Sequence, residues 1–322
     1  MDLSEVRVLV AGGAGFVGSH LTESLLNSGT EVVVADDFSN GRRTWIPGTA
    51  EVHEVDLTNP DAVESLIDDD IDIVFHLAAR SDANDEDPRA QFAENTAMTH
   101  NLLAACRESG VERFAFASSS TVYGEAPRPT PENHAPLEPI SVYGASKLGE
   151  EGLVSTYAHS YDMECWLFRF ANVVGPRLRG AVIPDFIEKL QENPERLQIL
   201  GDGRQKKSFL HVTDCVNAMQ YLVTRTPKTG TQSETMKRSD GSLHTYNIGT
   251  KTSTSVDEVA AVVCEVLGLD PEFEYTGGER GWTGDVPKMR LSIKRLTELG
   301  WEPTHESNEA VRLAAEELAA EL

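Results

Sequence analysis

Tyr143 and Lys147 are the two residues of this chain whose types and spacing suggest chemistry most directly. They lie in the run Tyr-Gly-Ala-Ser-Lys, and residues four apart on a helix share one face, so the ammonium group is expected beside the phenol. A free tyrosine titrates near pH ~10 and is a poor base at neutrality. A neighbouring positive charge favours the phenolate and lowers its pKa. The pair therefore predicts a base, Tyr143, assisted by Lys147.

A glycine-rich segment near the N-terminus, residues 12–18 (GGAGFVG), supports this interpretation. It follows an apolar run at 6–10 and precedes a helical pattern that begins near Ser19, the context of a dinucleotide-binding turn. Gly12 permits a tight turn, Gly15 lets a pyrophosphate approach the helix N-terminus, and Gly18 lets helix and strand pack closely. The alternative is a plain strand-to-helix turn. Together with the Tyr-Lys pair, the segment favours a redox site built around a nicotinamide.

The acid at the end of the second predicted strand, residues 31–35, points to the type of nicotinamide cofactor. Asp36 follows the glycines by about twenty residues, which suits the hydroxyl groups of an adenosine ribose. A carboxylate there repels the 2′-phosphate of NADP, so NAD is predicted. Arg42 and Arg43 leave the other choice open, because a nearby guanidinium can bind that phosphate.

Composition excludes several classes of partner. The chain has 322 residues, with 52 acids against 28 bases and a net charge of −24. Such a charge argues against nucleic acid and anionic membranes. No apolar run approaches the ~20 residues of a membrane span, and no cationic apolar leader opens the chain. Four widely spaced cysteines lack metal-ligand spacing and predict reduced core residues of a cytoplasmic protein without a bound metal: Cys106, Cys165, Cys215 and Cys264.

The excess of acid is spread along the sequence. Its members include Glu31, Asp56, residues 68–70, residues 82–87, Glu150-Glu151 and Glu316-Glu317. Two hypotheses account for it: an ordinary acidic cytosolic enzyme, or a surface adapted to concentrated salt, where self-repulsion is screened.

Strand and helix patterns alternate through the first half of the chain, which predicts an α/β fold with a Rossmann-type, doubly wound parallel sheet. After Asn172 the rhythm breaks, and a smaller C-terminal α/β substrate domain is expected. We predict an NAD-binding domain over residues 1–175 with a return segment near 211–248, and a substrate domain mainly over 176–322. Residues 226–245 are predicted to form a polar loop.

These motifs together resemble the extended short-chain dehydrogenase/reductases, and in order and spacing they are most similar to the UDP-glucose 4-epimerases. The resemblance covers essentially the whole chain. Beyond the glycine turn, Asp36 and the Tyr-Lys pair, it rests on these segments: Asp56-Leu57, His76-Leu77-Ala78-Ala79, Asn95, the run 118–124 (SSSTVYG), residues 169–172, 201–205, 246–249, 284–287 and 299–301.

The resemblance implies a cofactor site for NAD made of turn, acidic and apolar residues. The pyrophosphate turn is then Gly12, Gly15, Phe16 and Val17, the ribose is held by Asp36 and Asn40, the adenine by Asp56 and Leu57, and the nicotinamide side by Leu77, Ala78 and Ala79, with Asn95 shaping the pocket. Tyr143 becomes the base, and Lys147 also holds the nicotinamide ribose. Ser119 is the expected catalytic serine, with Ser118 and Ser120 as neighbours that leave a one-residue ambiguity. A homodimer is also implied.

The serine run narrows the reaction that the resemblance implies. Sugar-nucleotide dehydratases and decarboxylases of the superfamily carry acids just before Val-Tyr-Gly, where this chain has Ser120 and Thr121. Hydroxyl groups cannot replace those acids, so elimination and decarboxylation are disfavoured and 4-epimerisation of a UDP-sugar is expected. Two alternatives of other classes stay open: a 4-keto sugar reductase that releases NADP, and a redox-inert NAD-binding regulatory protein.

The resemblance also implies residues that bind the UDP-sugar. Asn172, Lys207 and Arg280 are expected at the diphosphate, where Lys207 replaces an arginine of many relatives and loses its bidentate geometry. Met289 is expected beside the sugar C2 substituent, where a flexible thioether tolerates an N-acetyl group. UDP-glucose and UDP-galactose are therefore expected, with UDP-glucuronate as an alternative whose carboxylate Arg177 or Arg179 could bind.

The acidic composition leads to a test of salt adaptation. If the surface is adapted to salt, activity and the thermal midpoint should both rise between dilute buffer and molar KCl, because screening relieves the repulsion among like charges. Both are measured across a KCl series at constant pH. A flat response would identify an ordinary acidic enzyme.

Overall fold

The computed structural model describes residues 2–82, 87–225 and 243–322. Most of the predicted acidic run at 82–87 and of the polar loop predicted at 226–245 therefore lies outside the described residues. Within the described ranges, the strands are β1 (Arg7–Ala11), β2 (Glu31–Asp36), β3 (Glu51–Glu54), β4 (Ile73–His76), β5 (Arg113–Ser119), β6 (Glu164–Phe170), β7 (Asn172–Val174), β8 (Arg196–Ile199), β9 (Lys206–Lys207), β10 (Phe209–His211), β11 (Leu243–Ile248), β12 (Thr254–Ser255), β13 (Glu272–Tyr275) and β14 (Lys288–Met289).

The helices alternate with these strands in the first half of the chain, as the sequence predicted. They are α1 (Phe16–Asn27), α2 (Pro60–Leu66), α3 (Pro88–Ser109), α4 (Val142–Ser160), α5 (Val182–Glu192), α6 (Val212–Arg225), α7 (Val256–Leu267), α8 (Lys294–Glu298) and α9 (Ser307–Glu321). A short 3-10 helix, Ser120–Tyr123, follows β5.

Seven parallel strands form the central sheet in the order β11-β6-β5-β4-β1-β2-β3. Alternate residues of each strand pack into opposite layers: Val8 and Val10 face α1 and α6, whereas Leu9 and Ala11 face the layer of α2, α3 and α4. A sheet covered on both faces explains why its strands are continuous apolar runs rather than alternating patterns. The predicted doubly wound Rossmann-type sheet is confirmed.

A separate core is formed mainly by residues that follow β6 in the chain. Apolar residues of α5, α7 and α9, among them Ile187, Val263 and Val311, pack there with β8 residues such as Leu197. Small two- and three-stranded sheets accompany this core, namely β7 with β10, β8 with β13, and β9 with β12 and β14. This arrangement is consistent with the smaller C-terminal α/β unit that the sequence predicted. The domain boundary at residue 175 stays a prediction.

The starts of α1 and β11 differ from the sequence predictions. Helix α1 begins at Phe16 rather than near Ser19, because Gly15 is its N-cap and Ser19 N already donates to Gly15 O at 2.9 Å. Residues 243–245, predicted as loop, are the first half of β11, where Leu243 pairs with Cys165 of β6. His244 and Thr245 interrupt the apolar pattern of this strand end, so a search for apolar runs does not find it, whereas pairing with β6 defines it.

Two features, a membrane-spanning helix and a metal-binding cluster, are absent from the described residues. Across these ranges, no helix combines the length and the apolar character that a bilayer crossing requires. Nor do three or more His, Cys, Asp or Glu side chains come together there as a metal site would need. The four cysteines are buried and unpaired.

Candidate active site

The carboxyl ends of β1, β2, β4 and β5 bring the candidate residues to one edge of the sheet. Because all seven strands are parallel, the segments that follow these four strands meet there. They are the glycine turn after β1, Asp36 at the end of β2, Leu77 to Ala79 after β4, and Ser119 at the end of β5. Most of the predicted cofactor site therefore lies at one edge, as the motif spacing indicated.

The glycine turn leaves no room for side chains at several of its positions, among them Gly12 and Gly18. Gly12 has φ +81°, and a Cβ there would lie 2.5 Å from Ala78 N. A Cβ on Gly18 would lie 2.0 Å from Gly12 O, so α1 packs directly on the turn. At Gly15, the N-cap of α1, the nearest atom to an added Cβ is Gly12 O at 3.3 Å. The turn thus presents the N-terminus of a 12-residue helix, where N–H groups favour an anion.

Asp36 lies against this turn and is buried, at 7% exposure. Its Oδ2 accepts from Ala14 N and its Oδ1 from Phe38 N, both at 2.9 Å. Burial raises the pKa of this carboxyl above its ordinary value, while the two N–H groups oppose the rise. A carboxylate has about four lone-pair sites, so ribose hydroxyls can still donate to it.

The remaining residues predicted at the adenosine are exposed or form local turns. Asn40 is exposed, and Asp56 is exposed with its Oδ1 accepting from Thr58 N at 2.8 Å, whereas Leu57 is buried. The guanidinium of Arg42 lies 5.3 Å from the Trp45 ring and that of Arg43 5.5 Å from the Phe38 ring. Both arginines therefore stack on aromatic rings of this loop.

Asn95 joins the segment after β4 to α4. Its Oδ1 accepts from Arg80 N at 2.8 Å, and its Nδ2 donates to Ser146 Oγ at 3.1 Å. Leu77 N and Ala78 N both donate to Ala11 O, which holds this segment beside the glycine turn. The role of Asn95 in this structure is to fix the position of residues 77–80 relative to the helix that carries Tyr143.

Tyr143 and Lys147 lie in the first two turns of α4, as the sequence predicted. Ser141 caps the helix, with its Oγ accepting from Gly144 N at 3.0 Å. The Lys147 ammonium is buried, lies 5.9 Å from the centre of the Tyr143 ring and stacks on Phe116 at 4.6 Å. It also donates to Glu150 Oε2 at 3.3 Å.

Two influences on the Tyr143 phenol oppose the expected effect of Lys147. The pKa of Tyr143 is raised above its ordinary value, first because burial disfavours the phenolate and second because Glu150 is negatively charged. The ammonium group is partly neutralised by the same carboxylate. Sequence reasoning missed Glu150, although its position three residues after Lys147 on a helix was a usable signal.

The three serines of the run 118–120 have different surroundings. Ser118 is buried and its Oγ donates to Glu151 Oε1 at 2.6 Å. Ser120 is buried in the 3-10 helix, whereas Ser119 is half-buried and its Oγ accepts from Thr121 N and Thr121 Oγ1. A Cβ on Gly144 would lie 2.9 Å from Thr121 O, so this segment packs directly on the start of α4. Of the three, Ser119 is the least buried, and its catalytic role stays a prediction.

Glu150 and Glu151, counted above among the dispersed acids, are not surface residues. Glu150 is 0% and Glu151 5% exposed. Arg169 of β6 donates to both carboxylate oxygens of Glu151, from Nε at 2.8 Å and from Nη2 at 2.6 Å, and also to Tyr123 Oη at 2.8 Å. This buried network is another feature that the sequence did not reveal.

The two cations expected at the diphosphate are paired with acids in this structure. Lys207 Nζ lies 2.5 Å from Asp285 Oδ1 and 4.8 Å from the centre of the Trp282 ring. Arg280 donates to Glu125 and to the carbonyl oxygen of Asp285. A Cβ on Gly284, which has φ +86°, would lie 3.0 Å from Ile140 O. The loop that carries Arg280 thus reaches the start of α4, near Tyr143.

Asn172 and Met289 each form a backbone hydrogen bond with Ser208. Asn172 begins β7 and its backbone N donates to Ser208 O at 3.1 Å. Met289 is buried and packs in a cluster with Val122 and Tyr123, beside the serine run. Their predicted contacts with substrate stay predictions.

Arg177 and Arg179, considered above as partners of a uronate carboxylate, are bound elsewhere. Arg177 donates to Ser19 Oγ at 3.1 Å and to Glu23 at 2.9 Å, on α1. Arg179 donates to Glu321 of α9 at 2.7 Å. In this structure both guanidinium groups are thus held by carboxylates of α1 and α9.

Comparison with known proteins agrees with this geometry. Residues 8–249 match the model of the NAD dependent epimerase/dehydratase family. The chain belongs to this family. A putative UDP-glucose 4-epimerase of Methanocaldococcus jannaschii is 31% identical over 313 residues, which cover 95% of this chain and 96% of that protein. The protein is accordingly an NAD-dependent epimerase, an isomerase.

Solved structures share the whole fold. A UDP-galactose 4-epimerase is 42% identical with a TM-score of 0.87, covering 98% of this chain and 100% of that one. The UDP-glucose 4-epimerase of Thermus thermophilus, solved with NAD, is 32% identical with a TM-score of 0.85 and the same coverage. A UDP-glucuronic acid 4-epimerase from Bacillus cereus, solved with UDP-glucuronic acid and NAD, is 26% identical with a TM-score of 0.83, again with the same coverage.

The residues at the sheet edge fit NAD. Gly15, which has no side chain, and the N-terminus of α1 suit a pyrophosphate, and the buried Asp36 carboxylate suits ribose hydroxyls rather than a phosphate. These two features carry the preference for the unphosphorylated cofactor.

Replacing Asp36 tests this preference. Asp36→Asn should lower the ratio of the NADP dissociation constant to the NAD dissociation constant by about tenfold or more. The reason is that the variant loses the repulsion between the carboxylate and the 2′-phosphate, and ~1.4 kcal/mol corresponds to a tenfold change in a binding constant. Calorimetric titration of cofactor-free enzyme measures both constants. Asp37→Asn, which removes the exposed neighbouring charge, is the matched control. An unchanged ratio in Asp36→Asn would mean that this carboxylate does not face the ribose.

Proposed function

We propose that this enzyme interconverts UDP-glucose and UDP-galactose by oxidation and reduction at C4, with Tyr143 as the base. One observation carries the proposal: the Tyr143–Lys147 helix packs directly on a segment that has hydroxyl side chains at Ser119, Ser120 and Thr121. The site therefore combines a proton acceptor with a hydroxyl relay and has no carboxyl group at the two positions where dehydratases carry acids.

The order of proton movements follows from this arrangement. Tyr143, as phenolate, takes the O4 proton through Ser119 Oγ, which can accept and donate at once. NAD, held at the glycine turn and by Asp36, would supply reversible uptake of a hydride when bound. The 4-keto sugar must turn between the two half-reactions, and Tyr143 then gives the proton back to O4. Net redox change is zero.

Binding energy has to come from the nucleotide, because the sugar must present both faces to the same site. Asn172, Lys207 and Arg280 are the residues proposed to hold the diphosphate. Lys207 and Arg280 are paired with Asp285 and Glu125, so diphosphate binding would exchange at least the exposed Glu125 contact for a phosphate oxygen.

The choice of glucose over glucuronate rests on Arg177 and Arg179. A carboxylate at C5 needs a cation, and both guanidinium groups are held by Glu23 and Glu321. Met289, buried beside Val122, is proposed to border the sugar C2 substituent and to tolerate N-acetylated substrates. The B. cereus relative that acts on a uronate keeps UDP-glucuronate as the second candidate.

Replacing the base tests the mechanism. Tyr143→Phe should lower kcat by about 10²–10⁴-fold, the usual contribution of a positioned acid-base group, while the bound NAD survives dialysis. Turnover is measured with a coupled assay, and NAD is assayed in the supernatant after heat denaturation. A wild-type rate in Tyr143→Phe would remove the base assignment. Enzyme that loses NAD on dialysis would instead support a reductase that exchanges its cofactor.

The substrate is tested by comparing three UDP-sugar pairs on the wild-type enzyme. We expect the highest kcat/KM for UDP-glucose and UDP-galactose, a measurable value for the N-acetylated pair, and at least about tenfold less for the uronate pair, because no free guanidinium is proposed near C5. If only the uronate pair turns over, the substrate assignment is wrong, whereas the fold and the cofactor are unaffected.

A further inference from the structure

A chain of buried polar side chains leads from the sheet to Lys147. His76 on β4, Thr99 on α3 and Glu150 on α4 are each 0% exposed, and Lys147 is 2% exposed. His76 Nε2 lies 2.9 Å from Thr99 Oγ1, Thr99 Oγ1 lies 2.7 Å from Glu150 Oε2, and Lys147 Nζ lies 3.3 Å from the same carboxylate oxygen. Neither the proposed mechanism nor the family resemblance uses Glu150, Thr99 or His76 in this way.

The directions of these hydrogen bonds, together with the lowered pKa of His76, determine which side chains of this chain of contacts are charged. Thr99 donates its one hydroxyl proton to Glu150, so it must accept from His76 Nε2–H. Burial, and then the charge of Lys147, hold the pKa of His76 well below its ordinary value, so the imidazole is neutral. Glu150 therefore faces one cation, Lys147, across this chain of contacts.

We propose that Glu150 is a positioning residue that holds the Lys147 ammonium and sets the pH at which Tyr143 can act as a base. This inference rests on the proposed role of Tyr143. A buried carboxylate is costly unless it is paired, so Glu150 binds Lys147 rather than leaving it free. The ammonium is then shared between Glu150 and the phenol, and it stabilises the phenolate less than an unpaired lysine would.

The neighbouring groups that the structure describes on α4, β5 and α3 supply no unpaired charge. Glu151, the next residue of α4, is neutralised by Arg169 of β6. Strand β5 contributes the Phe116 ring on which Lys147 stacks, and α3 contributes the uncharged Asn95 and Thr99. The raised pKa of Tyr143, caused by burial and by Glu150, agrees with this geometry.

The experiment removes the charge of Glu150 and follows the ionisation of Tyr143 in the NAD-loaded enzyme. In Glu150→Gln, the acidic limb of the kcat profile should move to lower pH by roughly one unit, because an anion that opposes the phenolate has been removed. KM should change little. Glu150→Asp keeps the charge and should keep the limb near its wild-type position. Glu108→Gln, which removes an exposed acid of α3, is the matched control.

A second readout does not depend on turnover. The phenolate absorbance that is lost in Tyr143→Phe should titrate at lower pH in Glu150→Gln than in wild-type enzyme. If wild-type enzyme turns over no UDP-sugar, the proposed function fails, and this titration still tests the influence of Glu150.

Thr99→Val keeps the inference testable should Glu150→Gln not fold. This variant keeps the shape of the side chain and removes the hydroxyl that donates to Glu150 Oε2. The carboxylate then interacts more strongly with the Lys147 ammonium. The acidic limb of Thr99→Val should move to higher pH, whereas Thr99→Ser should resemble wild type. A wild-type profile in Glu150→Gln, or in Thr99→Val when the former does not fold, would overturn the proposal.

Discussion

The buried ion pair between Arg169 and Glu151 is the interaction on which the site depends most. It joins β6 to α4, the helix that carries Tyr143 and Lys147, and it also holds Ser118 at the end of β5 and Tyr123 beyond it. A buried charge is tolerated only when its partner and remaining hydrogen bonds are present, and removing one partner of such a pair costs about 3–5 kcal/mol. The serine run and the Tyr-Lys helix are therefore held in one relative position by a contact that takes no part in the chemistry.

The same helix contains a second buried acid with the opposite consequence. Both carboxylate oxygens of Glu151 accept hydrogen bonds from the guanidinium of Arg169, whereas Glu150 accepts one from Lys147 of the active site. Two adjacent glutamates thus have distinct environments because successive helix positions, about 100° apart, face different neighbours. Glu151 stabilises the packing of α4 on the sheet, and in our proposal Glu150 sets the pH at which Tyr143 can act as a base.

The substrate side of the site shows how an acidic protein can hold an anion. Against a net charge of −24, the cations proposed for the diphosphate are each paired with a carboxylate, Lys207 with Asp285 and Arg280 with Glu125. The Asp285 carboxylate is buried, whereas Glu125 and Arg280 are largely exposed and their attraction is weakened by solvent. Of the two pairs, the Arg280 contact can be exchanged for phosphate more readily, so this arginine has the greater freedom to respond to a nucleotide.

The sequence by itself determined the parallel α/β fold, the glycine turn, Asp36 and the Tyr143–Lys147 pair, because each depends on local patterns: apolar runs, a helix start and residues four apart. Long-range packing decided the rest. The position of β11 depends on pairing with β6, the different surroundings of Ser118 and Ser119 depend on Glu151 of α4, and the burial of the two glutamates of α4 depends on how that helix packs. The acidity of the phenol likewise follows from burial and from which carboxylate the lysine meets, and both are properties of the folded chain alone.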